Sequence, residues 1–121
     1  MPELIDLEPQ ELKKSFIDNI VMIDVRRRTE WEYTGVIKSS HLLTFFDEKG
    51  NHDVIAWLKE FHKLVTSKEQ PFVLICAHAN RTRTIGNYLI ENLGYKHVYH
   101  LKGGMALWDD LNEEVEMLRN Q

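Results

Sequence analysis

The chain has 121 residues, 43% of them apolar and 28% charged, with a net charge of −4. A chain of that size and make-up buries one core, so disorder is excluded and a single domain over residues 1–121 is expected. The acidic balance excludes a general nucleic-acid binder, which carries a basic face, and the longest apolar run is far too short to span a bilayer.

In chain order, Glu3 to Leu7 reads as a short edge strand, and Pro9 opens an amphipathic helix through Gln10-Glu11-Leu12-Lys13-Lys14. Ile20 to Val25 is a buried strand that ends in a polar turn. Arg26-Arg27-Arg28 follows it as a basic cluster, either flanking a site or starting a solvated helix. Arg28 to Tyr33 is that short helix, closed by Gly35. Leu42 to Phe45 is a third short strand, and Asn51 to Thr66 a longer helix with Ile55, Leu58, Phe61 and Val65 along one face. Val73 to Ile75, an apolar run after Pro71, has the character of a buried strand in a parallel sheet. Arg81 to Leu93 is a helix, because Ile85, Leu89 and Leu93 recur every four residues and Gly94 provides the stop. His97 to Leu101 is the last strand. Alternating strands and helices predict an α/β fold, a single mostly parallel sheet with helices on both faces and right-handed crossovers. Trp31, Trp57 and Trp108 read as packing residues, and no repeat, low-complexity segment or linker interrupts the pattern.

Cys76 is the lone cysteine and sits where the apolar run of Pro71 to Ile75 gives way to polar residues and two arginines. A cysteine of this kind is either a small buried hydrophobe or a nucleophile. Its place at a strand-to-helix turn favours the nucleophile, since helix N-terminal N–H groups and nearby arginines stabilise a thiolate. That end of the strands is also where open α/β sheets bind ligands. A lone cysteine rules out an internal disulfide. With no basic stretch, apolar core and small-residue cleavage site at the start of the chain, a reducing cytoplasm is the expected location. The six histidines are scattered and only one cysteine is present, so no zinc pattern emerges and neither metal nor cofactor is expected.

The stretch from Ile23 to Trp108 resembles the rhodanese family. Asp24-Val25-Arg26, Glu30-Trp31 and Gly35-Val36-Ile37 are similar to that family's early motif. Cys76-Ala77-His78-Ala79-Asn80-Arg81, followed by Thr82, is similar to its active-site loop. Gly94-Tyr95-Lys96-His97-Val98, Leu101-Lys102-Gly103-Gly104-Met105 and Trp108 are similar to its C-terminal signature. The resemblance implies a rhodanese-like fold and a sulfurtransferase of the thiosulfate type. In such an enzyme Cys76 takes sulfane sulfur from a small anionic donor as a persulfide, and an acceptor, small or a protein in a sulfur relay, removes it. The chain departs from the pattern at Ala77, where many members carry a basic residue, and at Ala79, where most carry glycine. If position 79 needs a positive φ, alanine costs about 1 kcal/mol there. Val36 in place of histidine, and Lys38-Ser39-Ser40 in place of a Pro-Gly-Ala run, bear on substrate choice.

Within that reading the substrate-binding positions are Ala77, His78, Ala79, Asn80, Arg81 and Thr82, whose successive N–H groups can cradle an anion. Arg81 is either a fork for donor oxygens or a solvated first-turn residue. His78 either hydrogen-bonds the donor or is an exposed loop tip. Asn80 shapes the turn, and Thr82 caps or stabilises the helix start. Asp24 and Arg26 are structural support, an ion pair beneath the loop, with Glu30 as a helical partner for Arg26. Gly103 and Gly104 permit a turn where side chains would collide. A phosphatase or arsenate reductase of similar fold is less consistent, since its loop holds one more residue between cysteine and arginine. A sulfur-carrier or protein-binding module with little turnover is the other alternative, if Ala77 and Ala79 disable the loop. Neither nucleic acid nor membrane is an expected partner.

Overall fold

A computed structural model describes residues 2–15 and 19–118. The elements are β1 (Ile5–Leu7), α1 (Pro9–Ser15), β2 (Val21–Asp24), α2 (Arg28–Thr34), β3 (His41–Leu42) and α3 (Val54–Leu64). They continue with β4 (Phe72–Ile75), α4 (Asn80–Leu93), β5 (Val98–Leu101) and α5 (Gly104–Asp110). The five strands form one sheet in the order β1-β5-β4-β2-β3, and every pairing is parallel. No helix among the described residues is long and apolar enough to cross a membrane.

β4 lies at the middle of the sheet and is buried along its whole length, which is why Phe72-Val73-Leu74-Ile75 is apolar at every position rather than alternating. Its period of two divides the core. Phe72, Leu74 and Cys76 face Trp57 and Phe61 of α3 and Ile85 and Leu89 of α4. Val73 and Ile75 face Leu12 of α1 and Met105 and Trp108 of α5. Helices therefore cover both faces, and all three tryptophans are buried.

Two elements differ from the sequence expectation. The strand expected over Leu42 to Phe45 is only His41–Leu42. Beyond it the chain peels off as the Leu43 and Phe45 N–H groups bond to Asp24 O and Val25 O. Phe45 and Phe46 then pack around His52, and Phe46 bridges to it. Aromatic packing against α3, whose Trp57 Nε1 donates to Leu43 O, takes over from strand pairing. The expected helix from Asn51 starts at Val54, because the Asp53 side chain accepts from Ala56 N and caps it. Its buried residues are Trp57 and Phe61. Ile55 is 84% exposed, since two residues before Trp57 is about 200° round the helix.

Candidate functional site

The main chain leaves the carboxyl edge of the sheet at Cys76, and Ala77 to Ala79 turn it into α4. The reversal is made at Ala79, whose φ of 67° and ψ of 12° lie in the left-handed region that glycine occupies without cost. The first turn of α4 then passes over the thiol, and its N–H groups have no acceptor within the helix. The helix N-terminus is thus directed at the loop, the electrostatic environment that favours an anion.

The loop is held from the other side by the start of α5. Met105 N donates to Cys76 O at 2.8 Å and Ala106 N to Ala77 O at 3.0 Å. Two carbonyls of the loop are thereby satisfied by the start of α5. This close approach needs glycine at 104, where φ is +60° and a Cβ would stand 2.4 Å from Ala77 O. Gly103, at φ +70°, completes the turn.

Cys76 is free and buried, at 1% exposure. Its Sγ lies 3.5 Å from Thr82 Oγ1. Thr82 does not cap the helix, whose N-cap is Ala79. The threonine sits in the first turn of α4, fully buried, with its hydroxyl between the thiol and His100 Nδ1 at 2.9 Å. His100 Nε2 in turn is 2.5 Å from Asp6 Oδ1. Sequence reasoning assigned neither His100 nor Asp6. The available signal was a histidine two residues after Val98, on the inward face of an otherwise apolar strand. Parallel register sets Asp6 against His100 and His100 against Leu74. Burial pushes the His100 imidazole below its ordinary value, with Arg83 adding to the effect, while the Asp6 hydrogen bond and charge oppose it.

Arg81 is neither solvated nor directed freely into the loop. Its Nη1 and Nη2 donate to the two Glu30 carboxylate oxygens at 2.8 and 2.7 Å, a forked pair joining α4 to α2. Burial alone would raise the Glu30 carboxyl, but the hydrogen bond from Arg81 and the Arg27 N–H prevail and hold it below its usual range. The same bond to Glu30 holds Arg81 above its ordinary value, and a Cys76 thiolate and Asp24 add to this electrostatically. Glu30 is accordingly not the partner of Arg26 that its spacing predicts. Arg26 pairs with Asp24, its Nη2 2.8 Å from Oδ2, and donates to Thr34 Oγ1 and Gly35 O as well. The expected Asp24–Arg26 ion pair is present and fully buried.

His78 and Asn80 are exposed at the loop. A cavity of about 380 Å³ opens beside Ala77 and His78, walled by Tyr33 and Thr34 of α2 and by Ala106 and Asp109 of α5. A larger cavity of about 770 Å³, lined by Val21 and Met22 at the start of β2, contains no residue of the loop. The smaller one is the cavity that borders the loop, through Ala77 and His78.

A parallel α/β sheet that carries one buried cysteine at a strand-to-helix turn defines a class of domains with a cysteine loop at the carboxyl edge. The profile of the rhodanese-like domain matches residues 8–111, and the chain belongs to the rhodanese-like domain family. It is 30% identical over 102 residues to the thiosulfate sulfurtransferase GlpE of Coxiella burnetii, covering 84% of this chain and 81% of that one. A relative of the same name from Tolumonas auensis is 37% identical over 51 residues, covering 42% and 46%. Sulfurtransferase activity is therefore supported at the level of the family. Among solved structures, the polysulfide-sulfur transferase homodimer of Wolinella succinogenes shares the fold at a TM-score of 0.73 and 24% identity, covering 98% of this chain and 82% of that one. A Rhodopseudomonas palustris protein described as a possible tyrosine phosphatase shares it at a TM-score of 0.66 and 23% identity, covering 93% and 85%.

Proposed function

We propose that the chain is a sulfurtransferase of the thiosulfate type, working through a persulfide on Cys76. The observation that supports this most is the lone thiol set beneath the first turn of α4, 3.5 Å from the Thr82 hydroxyl and within the field of Arg81. The thiolate attacks the outer sulfur of a small anionic donor such as thiosulfate. The new Cys76 S–S bond forms as the donor S–S bond breaks, and sulfite leaves with the electron pair. A thiophilic acceptor then takes the outer sulfur and returns the thiolate.

The residues of the loop divide this work. The N–H groups from Ala77 to Thr82 cradle the donor anion and the anionic persulfide. Arg81 holds the cradle in shape through Glu30 and contributes its positive field. Asp24 and Arg26 support the turn from below. His78, exposed beside the cavity, contacts the incoming donor or acceptor. The acceptor is a small nucleophile or a protein of a sulfur relay, and a reducing cytoplasm suits a catalytic thiol. The phosphatase reading is weaker, because only four residues separate Cys76 from Arg81 and the arginine fork is occupied by Glu30.

The test is an intact-protein mass spectrum after incubation with thiosulfate. A gain of one sulfur atom that cyanide removes, absent in Cys76→Ser, is the expected result. An unmodified, still alkylatable thiol would sink the reading for thiosulfate and raise that of a binding module with little turnover.

A further inference from the structure

We propose that Asp6, His100 and Thr82 form a relay that takes the proton of the buried Cys76 thiol to the sheet edge, with His100 as its acceptor. The proposal deepens the sulfurtransferase reading and rests on Cys76 being its nucleophile. His100 touches neither donor nor persulfide; it acts through Thr82 and is a positioning residue.

The chemistry of each contact fixes the direction of the chain. Asp6, as a carboxylate, can only accept, so His100 Nε2 carries the hydrogen of that contact. Nδ1 of the neutral ring is then bare and accepts from the Thr82 hydroxyl at 2.9 Å. With its own hydrogen committed, Thr82 Oγ1 accepts from the Cys76 thiol at 3.5 Å. Passing one proton along this line moves the thiol hydrogen to Thr82 and the Thr82 hydrogen to Nδ1. Thiolate and imidazolium result, and the two hydrogen bonds of Thr82 reverse while His100 Nε2 still donates to Asp6. Thr82 now donates to the sulfur, and Asp6 pairs with a charged ring. No oxidant, reductant or second reactant is needed. After sulfite leaves, the proton resides on His100 or escapes by way of Asp6.

Burial gives the relay its purpose. Cys76 is 1% exposed and both Thr82 and His100 are 0% exposed, so the thiol has little direct access to solvent. The Asp6 side chain is 52% exposed at the outer strand and opens the line to water. The groups acting on His100 are Asp6 on β1 and Thr82 and Arg83 on α4, with Lys102 acting on Asp6; Arg81 acts on the sulfur through its charge while its fork binds Glu30. Arg83 opposes charging of the ring and Asp6 supports it, so removal of Asp6 weakens the relay without emptying the core.

The test reads the thiolate itself, by its ultraviolet absorbance across about pH 5 to 9, with Cys76→Ser as the blank for tyrosine. Cys76 is the lone cysteine, so the difference reports on one group. The expected result is a thiolate midpoint raised by about one pH unit in His100→Gln and Thr82→Val, roughly tenfold less thiolate at a given pH. Asp6→Asn should move it in the same direction by less, and Thr82→Ser should restore the wild-type curve. Superimposed curves for wild type, His100→Gln and Asp6→Asn would overturn the relay. Should His100→Gln fail to fold, the exposed Asp6→Asn variant decides alone. Because the readout needs no sulfur donor, the relay can fail while persulfide formation stands, and the reverse.

Discussion

Arg26 and Asp24 are buried at 1% and 0% exposure, and each depends on the other for its charge. The Asp24 carboxylate accepts from the Arg26 N–H, Nε and Nη2, and the guanidinium also reaches Thr34 and Gly35. Losing one partner of a buried pair leaves an uncompensated charge, at about 3–5 kcal/mol. Arg26→Met should therefore lower urea-unfolding stability by that amount. The double variant Arg26→Met with Asp24→Leu should recover most of it, because apolar replacement of both partners is close to neutral. A double variant no more stable than the single one would mean that the contacts to Thr34 and Gly35 dominate. Ala79 is a smaller case with the opposite sign. A left-handed alanine costs roughly 1–2 kcal/mol, and glycine loses about 0.4–1 kcal/mol more entropy on folding. Ala79→Gly should raise stability by about 0.5 kcal/mol in the same measurement. Its departure from the family pattern thus leaves the loop slightly strained in the expected backbone conformation.

At the scale of elements, the loop is clasped by two helices that make no part of its sequence. The start of α5 binds its carbonyls, and α2 holds Arg81 through Glu30. At Gly104 an added Cβ meets backbone at 2.4 Å, with nothing flexible to give way. Overpacking at about 1–3 kcal/mol and a positive φ at about 1 kcal/mol predict a loss of roughly 2–4 kcal/mol for Gly104→Ala, together with loss of sulfur loading. At Gly103 the nearest atoms belong to the Leu107 side chain, so a milder effect is expected there. The Arg81–Glu30 pair is partly solvated, at 20% and 27% exposure, and about 0.5–1 kcal/mol is the most it adds to stability. Its role is tested by kinetics. If Arg81 shapes the cradle, Glu30→Gln should raise KM for thiosulfate as Arg81→Ala does. If Arg81 binds the donor directly, Glu30→Gln frees its fork and KM should fall.

For the whole molecule, periodicity made the sheet, the loop and the core legible, because a buried central strand and helical repeats of four leave a clear pattern. β4, α4 and the Gly94 stop are examples. The pairing of side chains across elements was not legible. Arg26 and Glu30 have helical spacing, yet Arg26 precedes α2 and turns inward to Asp24, which leaves Glu30 to Arg81 on a distant segment. Asp6 and His100 are 94 residues apart and meet only through parallel register. Their meeting predicts how the whole fold responds to acid. Burial lowers His100 in the folded protein, so the unfolded chain binds its proton at a higher pH than the native one does. Stability is therefore complete above about pH 6.5 and declines as pH falls below that value, until the folded imidazole charges as well. Glu30, held low by Arg81, contributes in a separate window: its stabilisation is present above the ordinary carboxylate range and is lost as pH falls through it. Thermal unfolding followed from neutral pH downward should thus show an early decline that His100→Gln flattens and Glu30→Gln leaves in place. An early decline unchanged by His100→Gln would remove the buried neutral ring from the account of stability.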